Sequence, residues 1–128
     1  MMKTGSCLCG AVAFEISGPM DDVIACHCSQ CRKMTGNYWA STHVADADLK
    51  FTQQEGLKWY TSSAEAKRGF CKECGSSLFW KMTGAKRTSI CAGSIDGKTD
   101  LKLGGHIYCA SAGDYYEIAG GSYQKAKW

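Results

Sequence analysis

An all-β fold is what this sequence predicts, and three observations lead there. Short runs rich in β-branched and aromatic residues recur along the chain, several of them alternate between apolar and polar positions, and the intervals are filled by Gly, Asp, Ser and Lys. In order, the runs are AVAFEI (11–16), NYWASTHV (37–44), LKFT (49–52), LKWYT (57–61), SLFWKM (77–82), RTSICAGSI (87–95) and HIYCA (106–110). In the first, Val12, Phe14 and Ile16 share one side of the strand while Ala13 and Glu15 take the other. The best helix candidate is short: Ser29 caps a turn running through Arg32 and Lys33, which Gly36 ends.

The chain has 128 residues, one domain's worth, with no internal repeat and no linker-like stretch. A net charge of +3, spread over scattered lysines and arginines, gives no basic tract for nucleic acid. No apolar run spans a membrane, and the opening MMKTGSCLCG lacks the apolar core of a secretory signal. A soluble, cytoplasmic protein is therefore expected. In a reducing compartment, nine cysteines point to metal or thiol chemistry rather than to disulfides.

The cysteines fall into groups. FCKECGSS holds Cys71 and Cys74, a C-x-x-C turn in which both sulfurs can face one metal and Gly75 permits a positive φ. SCLCG holds Cys7 and Cys9. On a flat strand these side chains would stand roughly 6.5 Å apart, so sharing a zinc requires a bend, which Gly5 and Gly10 make easy. The two pairs together give a closed four-thiolate zinc site. ACHCSQCRK then leaves Cys26, Cys28 and Cys31 as a trio, and three protein ligands plus one exchangeable position is how catalytic zinc sites are built. Cys91, Cys109 or His27 closing the trio is the alternative. His27 is a poor candidate, since it should point away from its two neighbours, and Cys91 and Cys109 sit in apolar strand contexts typical of core cysteines. His43 and His106 are expected to be packed, hydrogen-bonded residues, although His106 could orient a substrate.

Taken together, GSCLCGAVAF, CHCSQCRKMTG, FCKECGSSLF and GHIYCASAGDYYEI resemble the glutathione-dependent formaldehyde-activating enzyme family, whose domain is also called centromere-protein-V-like. The resemblance runs from about Gly5 to Ile118, which sets an expected domain of residues 5–118 and a tail of residues 119–128. It implies a zinc-stabilised, Mss4-like "β-tent" sheet architecture. It also implies that Cys7, Cys9, Cys71 and Cys74 hold a structural zinc while Cys26, Cys28 and Cys31 hold a second, catalytic zinc.

The activity implied is that of an S-(hydroxymethyl)glutathione synthase, a carbon–sulfur lyase-type reaction adding the thiol of glutathione to formaldehyde or a related small aldehyde. Coordination by zinc favours the thiolate at neutral pH. Glutathione carries two carboxylates and one ammonium, so Arg32 and Lys33, beside the trio, and Lys67 and Arg68, before Cys71, are candidates to receive the carboxylates. Tyr38, Trp39, Trp59, Tyr60, Phe79, Trp80, Tyr115 and Tyr116 can line a pocket, though strand aromatics are usually core. Two rival readings stand beside the enzyme. The same sheet can be a non-catalytic zinc module binding a thiol ligand or a protein partner, or the trio can work as a redox group.

Overall fold

The computed structural model describes residues 2–128 and puts 42% of the chain in strands and 13% in helix, so the all-β expectation holds. Along the chain come β1 (Lys3–Ser6), β2 (Ala13–Ile16), β3 (Val23–Cys26), the helix α1 (Ser29–Thr35), β4 (Trp39–Ala45), β5 (Leu49–Gln53), β6 (Leu57–Thr61), β7 (Ala66–Cys71), β8 (Ser77–Met82), β9 (Arg87–Cys91) and β10 (Leu103–Ile107). A three-stranded sheet has the order β1-β2-β5, and a seven-stranded sheet the order β10-β3-β4-β9-β8-β7-β6. Neighbours are antiparallel except β10 and β3, which run parallel.

The alternation read from 11–16 decides how the sheets meet. Val12, Phe14 and Ile16 are buried, and they pack with Val44, Leu78, Phe79 and Ile90 of the larger sheet. Each such side chain contributes ~1.5–3 kcal/mol on burial. Phe79 joins the two sheets, with ring centroids 5.5 Å from Phe14, 5.3 Å from Phe51 and 6.0 Å from Trp59. Gly5 is required by this packing, because a Cβ there would lie 2.4 Å from the Phe14 ring.

Three details differ from the sequence reading. The run at 87–95 ends its strand at Cys91 and turns through a 3-10 helix over Ala92–Ser94. The strand expected at 106–110 begins earlier, at Leu103, and Tyr108 leaves it with φ 54. The helix is capped by Cys28 rather than Ser29, since the Cys28 sulfur accepts from the Cys31 N–H; Gly36, at φ 83, ends it as expected. Residues 122–127 run back beside β10, with His106 N–H donating to Tyr123 O at 2.9 Å and Lys125 N–H to His106 O at 3.0 Å.

One ionic contact braces the turn between β4 and β5. The Asp46 carboxylate receives the Lys81 ammonium and the Thr88 hydroxyl, the latter at 2.6 Å. Partial burial works to raise this carboxyl, but those two donors outweigh it and hold it below the usual carboxylate range. A depressed folded-state value stabilises at neutral pH and stops doing so as pH falls through it. Asp46→Asn is therefore expected to cost about 1 kcal/mol at pH 7 and less near pH 2. Urea midpoints at the two pH values check this, and an equal loss at both would contradict it.

Candidate functional site

Two cysteine groups are assembled, from the two sets read in the sequence. In the first, Cys7, Cys9, Cys71 and Cys74 bring their sulfurs within 4.8 Å of one another. The Cys7 and Cys9 sulfurs are 3.7 Å apart, as are those of Cys9 and Cys71. Tetrahedral zinc with bonds of about 2.3 Å requires sulfurs about 3.8 Å apart, so the donor set fits that ion. The chain bends over residues 8–12, where Gly10, at φ 86, turns it back so that Cys7 N–H donates to Val12 O at 2.9 Å, while Gly5 stays within β1. At the other half-site Gly75, at φ 80, donates its N–H to Cys71 O at 2.8 Å and closes the turn. Ser76 donates to the Cys74 sulfur at 3.2 Å and draws that thiol down to about 5. Val12 N–H points at the Cys7 sulfur at 3.3 Å.

The second group is Cys26, Cys28 and Cys31, again within 4.8 Å of one another. Cys26 ends β3, Cys28 caps α1, and Cys31 is buried inside the helix. The Cys26 and Cys31 thiols and the backbone N–H groups of Cys31 and Gln30 all favour a thiolate at Cys28, holding it far below the ordinary thiol range. Cys26, on the opposite side of the same partnership, is pushed up. Three soft sulfurs suit zinc. Among the described residues no fourth His, Cys, Asp or Glu joins them; Cys91, Cys109 and His43 lie outside both groups.

His27, between two of these cysteines, turns the other way into the interior and is 0% exposed. Its Nδ1 lies 2.7 Å from the Tyr116 hydroxyl and its Nε2 lies 2.9 Å from His106 Nδ1. His106, also buried, sets the direction of the chain. Its Nε2 faces the carbonyls of Ala119 and Gly120, at 3.0 and 3.2 Å, and must donate to them. A neutral His106 then accepts at Nδ1, so His27 donates from Nε2 and accepts at Nδ1 from the Tyr116 O–H. Burial, followed by His106, lowers the His27 pKa and keeps it neutral. Tyr115 adds a second tie, donating to Gly36 O at 2.8 Å at the end of α1.

The basic candidates separate by environment. Lys33 is exposed on α1, and Arg32 is half-buried, with Nε donating to Ser111 O at 3.3 Å. Lys67 is exposed, lying 4.4 Å from the Trp59 ring centroid. Arg68 is buried against the trio, with Nη2 donating to the Cys31 sulfur at 3.4 Å. The aromatics divide likewise: Phe79 and Trp59 belong to the core, whereas Tyr116 stacks on His27 at 5.6 Å and Tyr38 packs against it, tilted, at 5.0 Å. Sequence reasoning did not link His27 to Tyr116, because 89 residues separate them.

Comparison with known proteins follows the same lines. A family model described as glutathione-dependent formaldehyde-activating enzyme matches residues 2–111. The chain is similar to an uncharacterized lyase of Schizosaccharomyces pombe, at 29% identity over 82 residues, covering 64% of this chain and 59% of that protein. It is also similar to a Halomonas elongata protein whose name assigns it provisionally to glutathione-dependent formaldehyde activation, at 34% identity over 89 residues, covering 62% and 55%. The match thus spans between half and two thirds of the length of these curated relatives. Among solved structures, the crystal structure of a Rhodobacter sphaeroides protein matches with a TM-score of 0.63 at 25% identity, covering 76% of this chain and 91% of that one.

Proposed function

The chain belongs to the glutathione-dependent formaldehyde-activating enzyme family, and from that premise we propose that it joins the thiol of glutathione to formaldehyde or a related small aldehyde. The activity resembles that of S-(hydroxymethyl)glutathione synthase and is of the carbon–sulfur lyase type. What carries this reading is the inequality of the two cysteine groups: one supplies four sulfurs, the other three with no fourth ligand among the described residues. The four-sulfur group is a fastening. The trio has room for an outside sulfur.

Zinc held by Cys26, Cys28 and Cys31 would supply acidity to an incoming thiol near neutral pH and fix its sulfur beside the aldehyde. The protein's own residues do the positioning. Arg32, tethered to the Ser111 carbonyl, and exposed Lys33 place two positive charges on the helix that carries Cys31, suited to the two carboxylates of glutathione. The Tyr116–His27–His106 chain ties the segment around Tyr116 to the residue between two trio cysteines. In the reaction the thiolate sulfur bonds to the carbonyl carbon, the C=O π pair moves to oxygen, and that oxygen takes up a proton in place of the one the thiol lost. Most of the gain would come from holding the two reactants in register.

The test follows glutathione and formaldehyde consumption by zinc-loaded protein against the spontaneous reaction. A rate well above that background is expected, and Cys28→Ser should fall to the background while remaining folded. Wild-type protein that binds glutathione without exceeding the spontaneous rate would instead be a thiol-binding zinc module.

A further inference from the structure

Arg68 enters the interior from β7 and meets no carboxylate there. It is 4% exposed, and the ion pairs among the described residues are Lys81–Asp46, Arg87–Asp21 and Lys98–Asp100. Its Nη2 donates to the Cys31 sulfur at 3.4 Å and to Gln30 Oε1 at 3.2 Å, and its Nε reaches the same oxygen at 3.4 Å. Gln30 is itself oriented, because its amide nitrogen donates to Ser62 O at 3.1 Å. The guanidinium carbon lies 5.8 Å from the centroid of the Trp39 ring. Trp39 stands opposite Cys26 in the β3–β4 register, is 5% exposed, and has an indole N–H with no partner. A buried cation is unfavourable unless an anion faces it. Among the described residues, the sulfur it hydrogen-bonds is that of Cys31, in the trio.

We propose that Arg68 is the positioning residue that lets the three-cysteine site take an anionic sulfur ligand beyond its own thiolates; the inference deepens the thiol-addition reading and rests on it. Three thiolates exceed the charge of a divalent cation by one, and a fourth sulfur anion doubles that excess in a partly buried place. The guanidinium cancels one of the two excess charges through Cys31. Among the described residues no arginine or lysine hydrogen-bonds a sulfur of the four-cysteine group, where the Val12 N–H and the Ser76 hydroxyl meet Cys7 and Cys74 and where Cys9 lies exposed to water. All four sulfurs of that group come from the chain itself. In the trio Cys26 and Cys28 are partly exposed, and the buried sulfur, Cys31, is the one that Arg68 meets.

The experiment titrates the zinc-loaded full chain with glutathione by calorimetry, in two buffers of different protonation enthalpy near pH 7. Because a free thiol titrates near ~8.5, capture as thiolate is expected to release about one proton per glutathione bound, and S-methylglutathione should not compete. Arg68→Met fills similar space without charge. It is expected to keep the four-cysteine zinc and its cooperative unfolding, while affinity for the second zinc falls ~10–100-fold and glutathione binding weakens at least tenfold. Arg68→Lys keeps the charge without the fork and should retain proton-coupled binding within about tenfold of wild type. Wild-type binding without proton release, wild-type zinc and glutathione affinity in R68M, or lost binding in folded R68K would each overturn the inference. Should R68M not fold, R68K and the wild-type proton count decide. Intact proton-coupled binding without turnover removes the proposed reaction and leaves Arg68's role standing; full turnover in R68M does the reverse.

Discussion

Cys71→Ser is expected to leave the chain without a cooperative unfolding transition at room temperature, while Cys28→Ser melts much as the unaltered protein does. The difference follows from where the sulfurs sit. Cys71 is 0% exposed, lies within the core cluster beside Phe14 and Phe79, and joins the loop at Cys7 and Cys9 to the end of β7. A structural zinc in such a site contributes apparent free energy of ~10–16 kcal/mol, against a net stability of ~5–15 kcal/mol for a typical domain. No core of this size absorbs that loss. Cys28 caps a seven-residue helix and lies outside the core cluster, so its replacement removes one sulfur of the trio but few core contacts. Far-UV circular dichroism with zinc counted by native mass spectrometry checks both. Cys28→Ser should stay folded and lose about one equivalent of zinc. Equal damage from the two substitutions would refute the division between fastening and working site.

The second large effect belongs to His106. His106→Leu keeps most of the volume but strands the His27 Nε2–H, which is buried and donates only to His106. It also removes the donor that meets the Ala119 and Gly120 carbonyls. An orphaned buried donor costs about 1–3 kcal/mol and each lost hydrogen bond about 0.5–1.5 kcal/mol, so a loss of about 2–4 kcal/mol is expected in denaturant midpoints. Nitrogen NMR of the unaltered protein gives an independent reading, because the carbonyl partners require both imidazoles to carry their proton on Nε2. A proton on Nδ1 of either ring would reverse the direction of the chain and remove this account of Tyr116.

Much of the fold and the cysteine grouping could be read from residue order. Alternation at Val12, Phe14 and Ile16 is a local signal, and so are C-x-x-C-G with its positive-φ glycine and the two short cysteine motifs. Three strands escaped, and the reason is physical. β1 (KTGS) and β7 (AKRGFC) carry Lys, Arg and Gly where a strand reading wants apolar or branched residues, and β3 (VIAC) is only four residues long. Their geometry is imposed by neighbours: β7 lies between β6 and β8, and β3 between β10 and β4. Pairing of that kind overrides intrinsic preference. Arg68 shows the same limit at the site. It reads as one of two adjacent cations on a solvated face, yet strand alternation sends Lys67 outward and Arg68 inward to Cys31. The partner that makes the difference is 37 residues away.

The parallel pairing of β3 with β10 bears on how the polypeptide is made. His27 must wait 79 residues for His106 and 89 for Tyr116. Until that stretch leaves the ribosome, the segment bearing Cys26 is a bare sheet margin with reactive sulfurs beside it, open to pairing with another nascent copy. The fastening through Cys74 can close earlier, before β8 has emerged in full. On the proposed assignment of the two cysteine groups, metal uptake should then be ordered in time, with the four-cysteine group filled during translation and the trio after β10 has docked.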